Sequence, residues 1–125
     1  MTRILLAEDE PAMREYLVRS LEKNGYEVVA VDCGSKAAPL LESRSFDLLL
    51  TDIVMPEMDG IELARHCSKV SPETKVMFIT GFSGVALRAG EEMPSAKILS
   101  KPFHLRDLVL EVERMFGQQS ASGLS

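Results

Sequence analysis

LLLTDIVMPEMDG, residues 48–60, carries an apolar run into an aspartate and then breaks into Met-Pro and Asp-Gly. A strand with one wet face alternates apolar and polar residues. This run is apolar on consecutive residues, the pattern of a strand covered on both faces. Asp59-Gly60 reads on its own as a turn. The carboxylate of Asp52 is then either a cap for the next helix or a reactive group set out at the edge of a sheet.

Working outward, RILLA (3–7), EVVAV (27–31), DLLLT (47–51), KVMFIT (75–80) and KILS (97–100) are similar short runs rich in Val, Ile and Leu. Helical patterns separate them. Pro11 to Asn24 places Met13, Tyr16, Leu17, Ser20 and Leu21 on one side, with Pro11 suited to a first turn and Gly25 to a C-terminal stop. Ser35 is placed to cap a segment reaching Glu42, which Pro39 delays, kinks or shortens. IELARHCSKV after Asp59-Gly60 and HLRDLVLEVERMF at 104–116 repeat the apolar helical spacing. In SGVALRAGEEM, 83–93, Gly84 and Gly90 each cost about 1 kcal/mol against Ala. A short or mobile helix is expected there. Five strands each followed by a helix predict a parallel α/β sheet with right-handed crossovers and helices on both faces. GQQSASGLS after Phe116 is small and polar, and 118–125 reads as a flexible tail behind a domain spanning 1–117.

At 125 residues, 46% apolar and 26% charged, the chain suits one globular domain with its own core. A net charge of -5 with no cluster of lysines gives no field for a phosphate backbone, so direct nucleic-acid binding is not expected. Cys33 and Cys67 lack a metal or redox spacing and read as buried or partly buried thiols in a reducing compartment. The N-terminal apolar run is too short for a signal peptide or a membrane span, which predicts a cytoplasmic protein.

In open parallel sheets ligands bind beyond the carboxyl ends of the strands. That rule selects Glu8, Asp9 and Glu10 after strand one, Asp52 after strand three, Thr80 at the end of strand four and Lys101 after strand five. Each alone has an ordinary explanation: caps for the first helix before Pro11, a turn at Asp59-Gly60, a loop at Lys101-Pro102. Together they are chemically coherent. Carboxylates gathered at one edge repel, and a hard cation relieves them; Mg²⁺ takes one or two carboxylates, waters and a phosphate oxygen. Lysine supplies a compact cation to an oxyanion, threonine a hydroxyl, and the freed carboxylate can act as nucleophile toward phosphorus. His66 and His104 lie off this rim and read as surface or capping residues; Met55, Met58, Met77, Met93 and Met115 read as loop and core filling.

Through LLAEDE (5–10), LLLTDIVMPEMDG (48–60), IT (79–80) and KPF (101–103), in this order, the chain resembles the receiver domain of two-component response regulators over residues 1–117. The resemblance implies a flavodoxin-like, CheY-like (βα)5 sandwich with strand order 2-1-3-4-5. It implies Asp52 as phosphoacceptor, Asp9 as a direct Mg²⁺ ligand, Glu8 as an acid acting through water, and the backbone carbonyl of Val54 as a further ligand. Thr80 matches the switch hydroxyl and Lys101 the lysine that pairs with the phosphoryl group. Pro56 and Gly60 match shape-setting residues of the acceptor loop, and the Lys101-Pro102 bond one that is cis in the family. Phosphorylation is then a local electrostatic event that draws Thr80 inward and shifts the segment from Phe82 to Ile98. The chain departs from the family where many receivers hold Tyr or Phe and it holds Ile98. With Gly81 after the threonine, Phe82 is the aromatic available for switching.

The implied function is signalling without enzymatic turnover of a substrate. The chain reads as a stand-alone response regulator, phosphorylated by a histidine kinase or histidine phosphotransfer protein and acting through protein contacts as a monomer or weak dimer. The AEDE and ITGF stretches and the length are similar to those of alphaproteobacterial single-domain regulators that prime the ClpXP protease for its substrates until phosphorylated. Two alternatives stay open: a phosphate-sink or relay receiver, and an aspartyl-phosphate phosphohydrolase. The latter chemistry wants a second carboxylate where Val54 stands.

Overall fold

The structure, a computed structural model, describes residues 1–101 and 103–116. The tail expected at 118–125, the end of the domain at 117 and the geometry of the Lys101-Pro102 bond lie outside the described residues.

Strands β1 (Arg3–Ala7), β2 (Glu27–Val31), β3 (Leu48–Asp52), β4 (Lys75–Thr80) and β5 (Lys97–Ser100) alternate with helices α1 (Pro11–Lys23), α2 (Gly34–Ser43), α3 (Gly60–Val70), α4 (Ser83–Glu92) and α5 (Leu105–Phe116). The strands are parallel, in the order β2-β1-β3-β4-β5. The order reverses between β1 and β3, so the crevice beyond their carboxyl ends is where this class of sheet binds ligands.

The consecutive apolar residues of β1, β3 and β4 serve two cores. Ile4, Leu6, Leu48, Leu50, Met77 and Ile79 meet Leu17 and Leu21 of α1 and Leu108 and Val112 of α5. Leu5, Ala7, Leu49, Val76 and Phe78 meet Ala37 and Leu41 of α2, Ile61, Ala64 and Cys67 of α3, and Ala89 of α4. β3 is buried at all five positions. Each buried Leu or Ile contributes roughly 1.5–3 kcal/mol by leaving water. β3 therefore anchors the rim firmly at the point where Asp52 leaves it.

Local details differ from the pattern-based expectation. β3 runs one residue later, because the Asp52–Ile79 pair still belongs to the β3–β4 register. Asp52 is thus the last strand residue rather than the first loop residue. Ser35 is not the cap of α2: Cys33 occupies the N-cap, and the Ser35 hydroxyl donates to Glu57 Oε1 at 2.6 Å. Pro39 lies inside α2 without breaking it, and the helix stays short at ten residues. α4 forms across both glycines, with Ala89 its fully buried side chain and Val85 partly buried against the same core. Both cysteines are buried free thiols, and no helix among the described residues is long and apolar enough to cross a membrane.

Gly60 is required by proximity and not by a turn. A Cβ there would lie 2.2 Å from the Asp52 carbonyl oxygen and 2.9 Å from Ile53 Cα. Its own N–H donates to the Ile53 carbonyl at 2.8 Å. The start of α3 is therefore packed onto the main chain of the acceptor segment, with Asp59 Oδ1 capping it by accepting from Glu62 N at 2.9 Å. Gly60→Ala is expected to destabilise the fold by about 1–3 kcal/mol, as overpacking against rigid main chain does. A thermal midpoint equal to that of the wild type would contradict this packing.

Candidate functional site

Beyond the carboxyl ends of β1, β3 and β5 the rim brings together three acids and a lysine. Oxygens of Glu8, Asp9 and Asp52 all lie within 4.8 Å of one another. Lys101 Nζ is 3.2 Å from Asp52 Oδ2, with which it forms a hydrogen bond, and 3.8 Å from Glu8 Oε1. Residues 44 apart in sequence (8 and 52) and 49 apart (52 and 101) meet because parallel strands end together.

Each group is held by its element. Glu8 follows β1, its N–H continues the ladder to the Val31 carbonyl at 3.1 Å, and its Oε2 accepts from Glu10 N at 3.1 Å. Arg14 of α1 donates to the Glu8 carbonyl at 2.9 Å, a support that periodicity could not have found. Of the acids predicted to cap α1, Glu10 takes the N-cap position without a side-chain bond to the helix, and it is not among the acids whose oxygens gather at the rim. Asp52 Oδ1 accepts from Ile53 N at 2.9 Å, leaving Oδ2 to Lys101. Asp9 is exposed.

Thr80 is buried at the end of β4; its hydroxyl oxygen accepts from Phe82 N at 3.1 Å, and its carbonyl accepts from Lys101 N at 2.7 Å. Gly81 and Phe82 follow, with Phe82 exposed at the N-cap of α4. Val54 is exposed in the acceptor loop. Ile98 is half-buried in β5 and packs against the core beneath Gly90 of α4. His66 pairs with Glu42 across α3 and α2 at 2.8 Å, and the His104 carbonyl accepts from Asp107 and Leu108 at the start of α5.

Burial pushes the Glu8 carboxyl up to about 7; the hydrogen bond from Glu10 opposes this, and the nearby Asp52 reinforces it. Burial works against the Lys101 ammonium, but attraction to Asp52 and Glu8 outweighs it and the lysine is held above its ordinary value. Glu8 Oε1 is buried with no hydrogen-bond partner among the described residues. An orphaned buried oxygen beside two more carboxylates is an all-oxygen, anionic donor set, which fits a hard divalent cation such as Mg²⁺.

Residues 4–113 match the response regulator receiver domain family. The response regulator receiver protein CpdR of Brucella abortus is 60% identical over 92% of this chain and 97% of its own length. The sensor kinase CckA of the same organism is 37% identical over 93% of this chain, which spans 13% of that kinase. Among solved structures, the response regulator TrrA of Thermotoga maritima in complex with Mg²⁺-BeF superposes with a TM-score of 0.82 at 31% identity, over 91% of this chain and 98% of that one.

The raised Glu8 pKa sets a pH dependence. Unfolded, Glu8 ionises near its ordinary value of 4.5; folded and free of divalent cations, it ionises at about 7. The folded state therefore binds more protons between those values, and stability falls as pH rises through about 7. In chelator, the thermal midpoint is expected to be higher at pH 6 than at pH 8, with Glu8→Gln flattening the difference. An equal slope in the variant would contradict the assignment.

Proposed function

The chain belongs to the response regulator receiver family, and from that premise we propose that it is switched by a phosphoryl group accepted on Asp52. The reading rests chiefly on one observation, the 3.2 Å contact of Lys101 Nζ with an Asp52 oxygen inside a cluster of acids. A carboxylate already paired with an ammonium has a counter-ion waiting for the extra negative charge that phosphorylation brings.

Asp52 Oδ attacks phosphorus of a phosphohistidine; the new O–P bond forms as the P–N bond breaks, and the imidazole takes up a proton. Lys101 pairs with the transferred group. The Thr80 hydroxyl, whose oxygen already accepts from Phe82 N, keeps its hydrogen for a phosphoryl oxygen, so its reorientation reaches the first residues of α4 through Phe82. Asp9 and Asp52, with Glu8 through water and the Val54 carbonyl, would hold Mg²⁺. When bound, that ion neutralises the crowded carboxylates and the incoming phosphoryl oxygens.

The donor is a histidine kinase or a histidine phosphotransfer protein, and the output is a change in which protein docks around α4. The 60% identity to CpdR favours a regulator of that kind. In this reading the unphosphorylated form serves as an adaptor for the ClpXP protease and its substrates, and phosphorylation turns this off. Asp52→Ala should then keep or strengthen its contact with the ClpX unfoldase; a phosphate sink would show no contact in either form.

With Mg²⁺ and a small acyl phosphate, intact mass is expected to show one phosphoryl group added to the wild type and none to Asp52→Asn, with chelator abolishing the gain. Lys101→Ala should slow uptake by roughly 100-fold, the typical cost of losing one preorganised charge-stabilising group. Uptake by Asp52→Asn at the wild-type rate would overturn the assignment.

A further inference from the structure

α4 is lightly anchored in the apolar core. Ala89 is its fully buried side chain, Val85 is partly buried, and Leu87 is 72% exposed. Its two glycines add no apolar anchor: a Cβ at Gly84 would meet nothing within 4 Å, and one at Gly90 would reach only ordinary contact with Ile98. What ties α4 to the rest of the rim is charge. Arg88 Nε lies 2.8 Å from Glu92 Oε2 one turn on, and Arg65 of α3 pairs with the other oxygen of Glu92. Arg88 Nη2 lies 3.9 Å from Asp59 Oδ2. Glu92 and Asp59 are the more buried partners, at 24% and 31% side-chain exposure. Two arginines and two carboxylates thus form one lattice across α3, α4 and the acceptor loop.

Asp59 is the N-cap of α3, and the next residue, Gly60, sits so close to Asp52 that a Cβ would strike the Asp52 carbonyl. A continuous set of contacts therefore runs from the main chain of Asp52 through Gly60 and Asp59 to Arg88 and α4. We infer that Arg88 is a positioning residue that couples the acceptor loop to α4, so that the state of Asp52 sets the stability of that helix through Asp59. The inference rests on Asp52 being the acceptor, and it adds a route distinct from the Thr80 hydroxyl and from the aromatic that Ile98 replaces. The coupling is reciprocal, as every equilibrium coupling between two sites is: whatever fixes α4 must also bias the acceptor loop.

The test is amide hydrogen exchange of residues 83–92 in the full chain, with and without Mg²⁺ and beryllofluoride, for the wild type, Arg88→Ala, Arg88→Lys and Glu92→Gln. Phosphoryl uptake by each is followed in parallel by intact mass. In Arg88→Ala and Glu92→Gln, α4 amides are expected to exchange about three- to fivefold faster before any ligand is added, the range of a partly exposed ion-pair link. Their response to beryllofluoride should fall to less than half that of the wild type although Asp52 is still phosphorylated to completion. Arg88→Lys should restore part of the protection at low salt, and 0.5 M KCl should erase that rescue, since screening is strong at roughly this ionic strength. Wild-type exchange and wild-type response in a fully phosphorylated Arg88→Ala overturn the inference alone. A wild type that neither takes up phosphoryl nor binds beryllofluoride overturns the reading of the site, and the coupling with it.

Discussion

Lys101 stands between two carboxylates that would otherwise repel each other at the edge of a parallel sheet, 3.2 Å from one and 3.8 Å from the other. Much of the molecule serves to keep it there. β1, β3 and β5 end within two residues of one another in the sheet register, β3 is buried along its whole length, and Lys101 N is hydrogen-bonded to the last carbonyl of β4. A lysine alone does not neutralise three acids. Glu8 remains buried with one oxygen unsatisfied and a carboxyl displaced to about 7, a cost that a bound divalent cation would remove.

This imbalance links stability to signalling. On the proposed reading, acids crowded at the rim and relieved by a divalent cation would accept further negative charge only with that cation bound. The response can be local because the neighbouring elements differ in how firmly they are held. α3 is packed onto the Asp52 main chain through Gly60 and buries Ile61, Leu63, Ala64 and Cys67, whereas α4 buries Ala89 fully and leans on ion pairs. The element with the least apolar anchoring is the one expected to move, since local opening costs least where few apolar contacts must be broken.

Much of this was legible in the sequence for definite physical reasons. Runs apolar on consecutive residues suit strands covered on both faces, as LLLTD in β3 is, although EVVAV in the edge strand β2 is only partly buried, and their alternation with helices leaves few topologies. The rule that parallel sheets bind ligands at strand ends then picked out Glu8, Asp9, Glu10, Asp52, Thr80 and Lys101 across more than 90 residues; Glu8, Asp9, Asp52 and Lys101 are found together, whereas Glu10 stands at the N-cap of α1 outside the acid cluster. Other features were hidden because they depend on the packing of one element against another. Ser35 has the chemistry of a cap, yet the cap of α2 falls two residues earlier, at Cys33, and Ser35 turns to Glu57. Asp59-Gly60 has the composition of a turn, whereas Gly60 is needed for its close approach to Asp52. Arg14 on Glu8 and Arg88 on Asp59 are long side chains crossing between elements, and periodicity carries no record of what a side chain touches.

The central claim is that the three carboxylates form a divalent cation site that acts with Lys101 on one oxygen-rich pocket. Anomalous diffraction from crystals soaked in Mn²⁺ measures this most directly. A single manganese peak within bonding distance of Asp9 and Asp52, lost in Asp9→Asn, is the predicted result. A peak bound elsewhere, with these carboxylates bare at millimolar Mn²⁺, would contradict it.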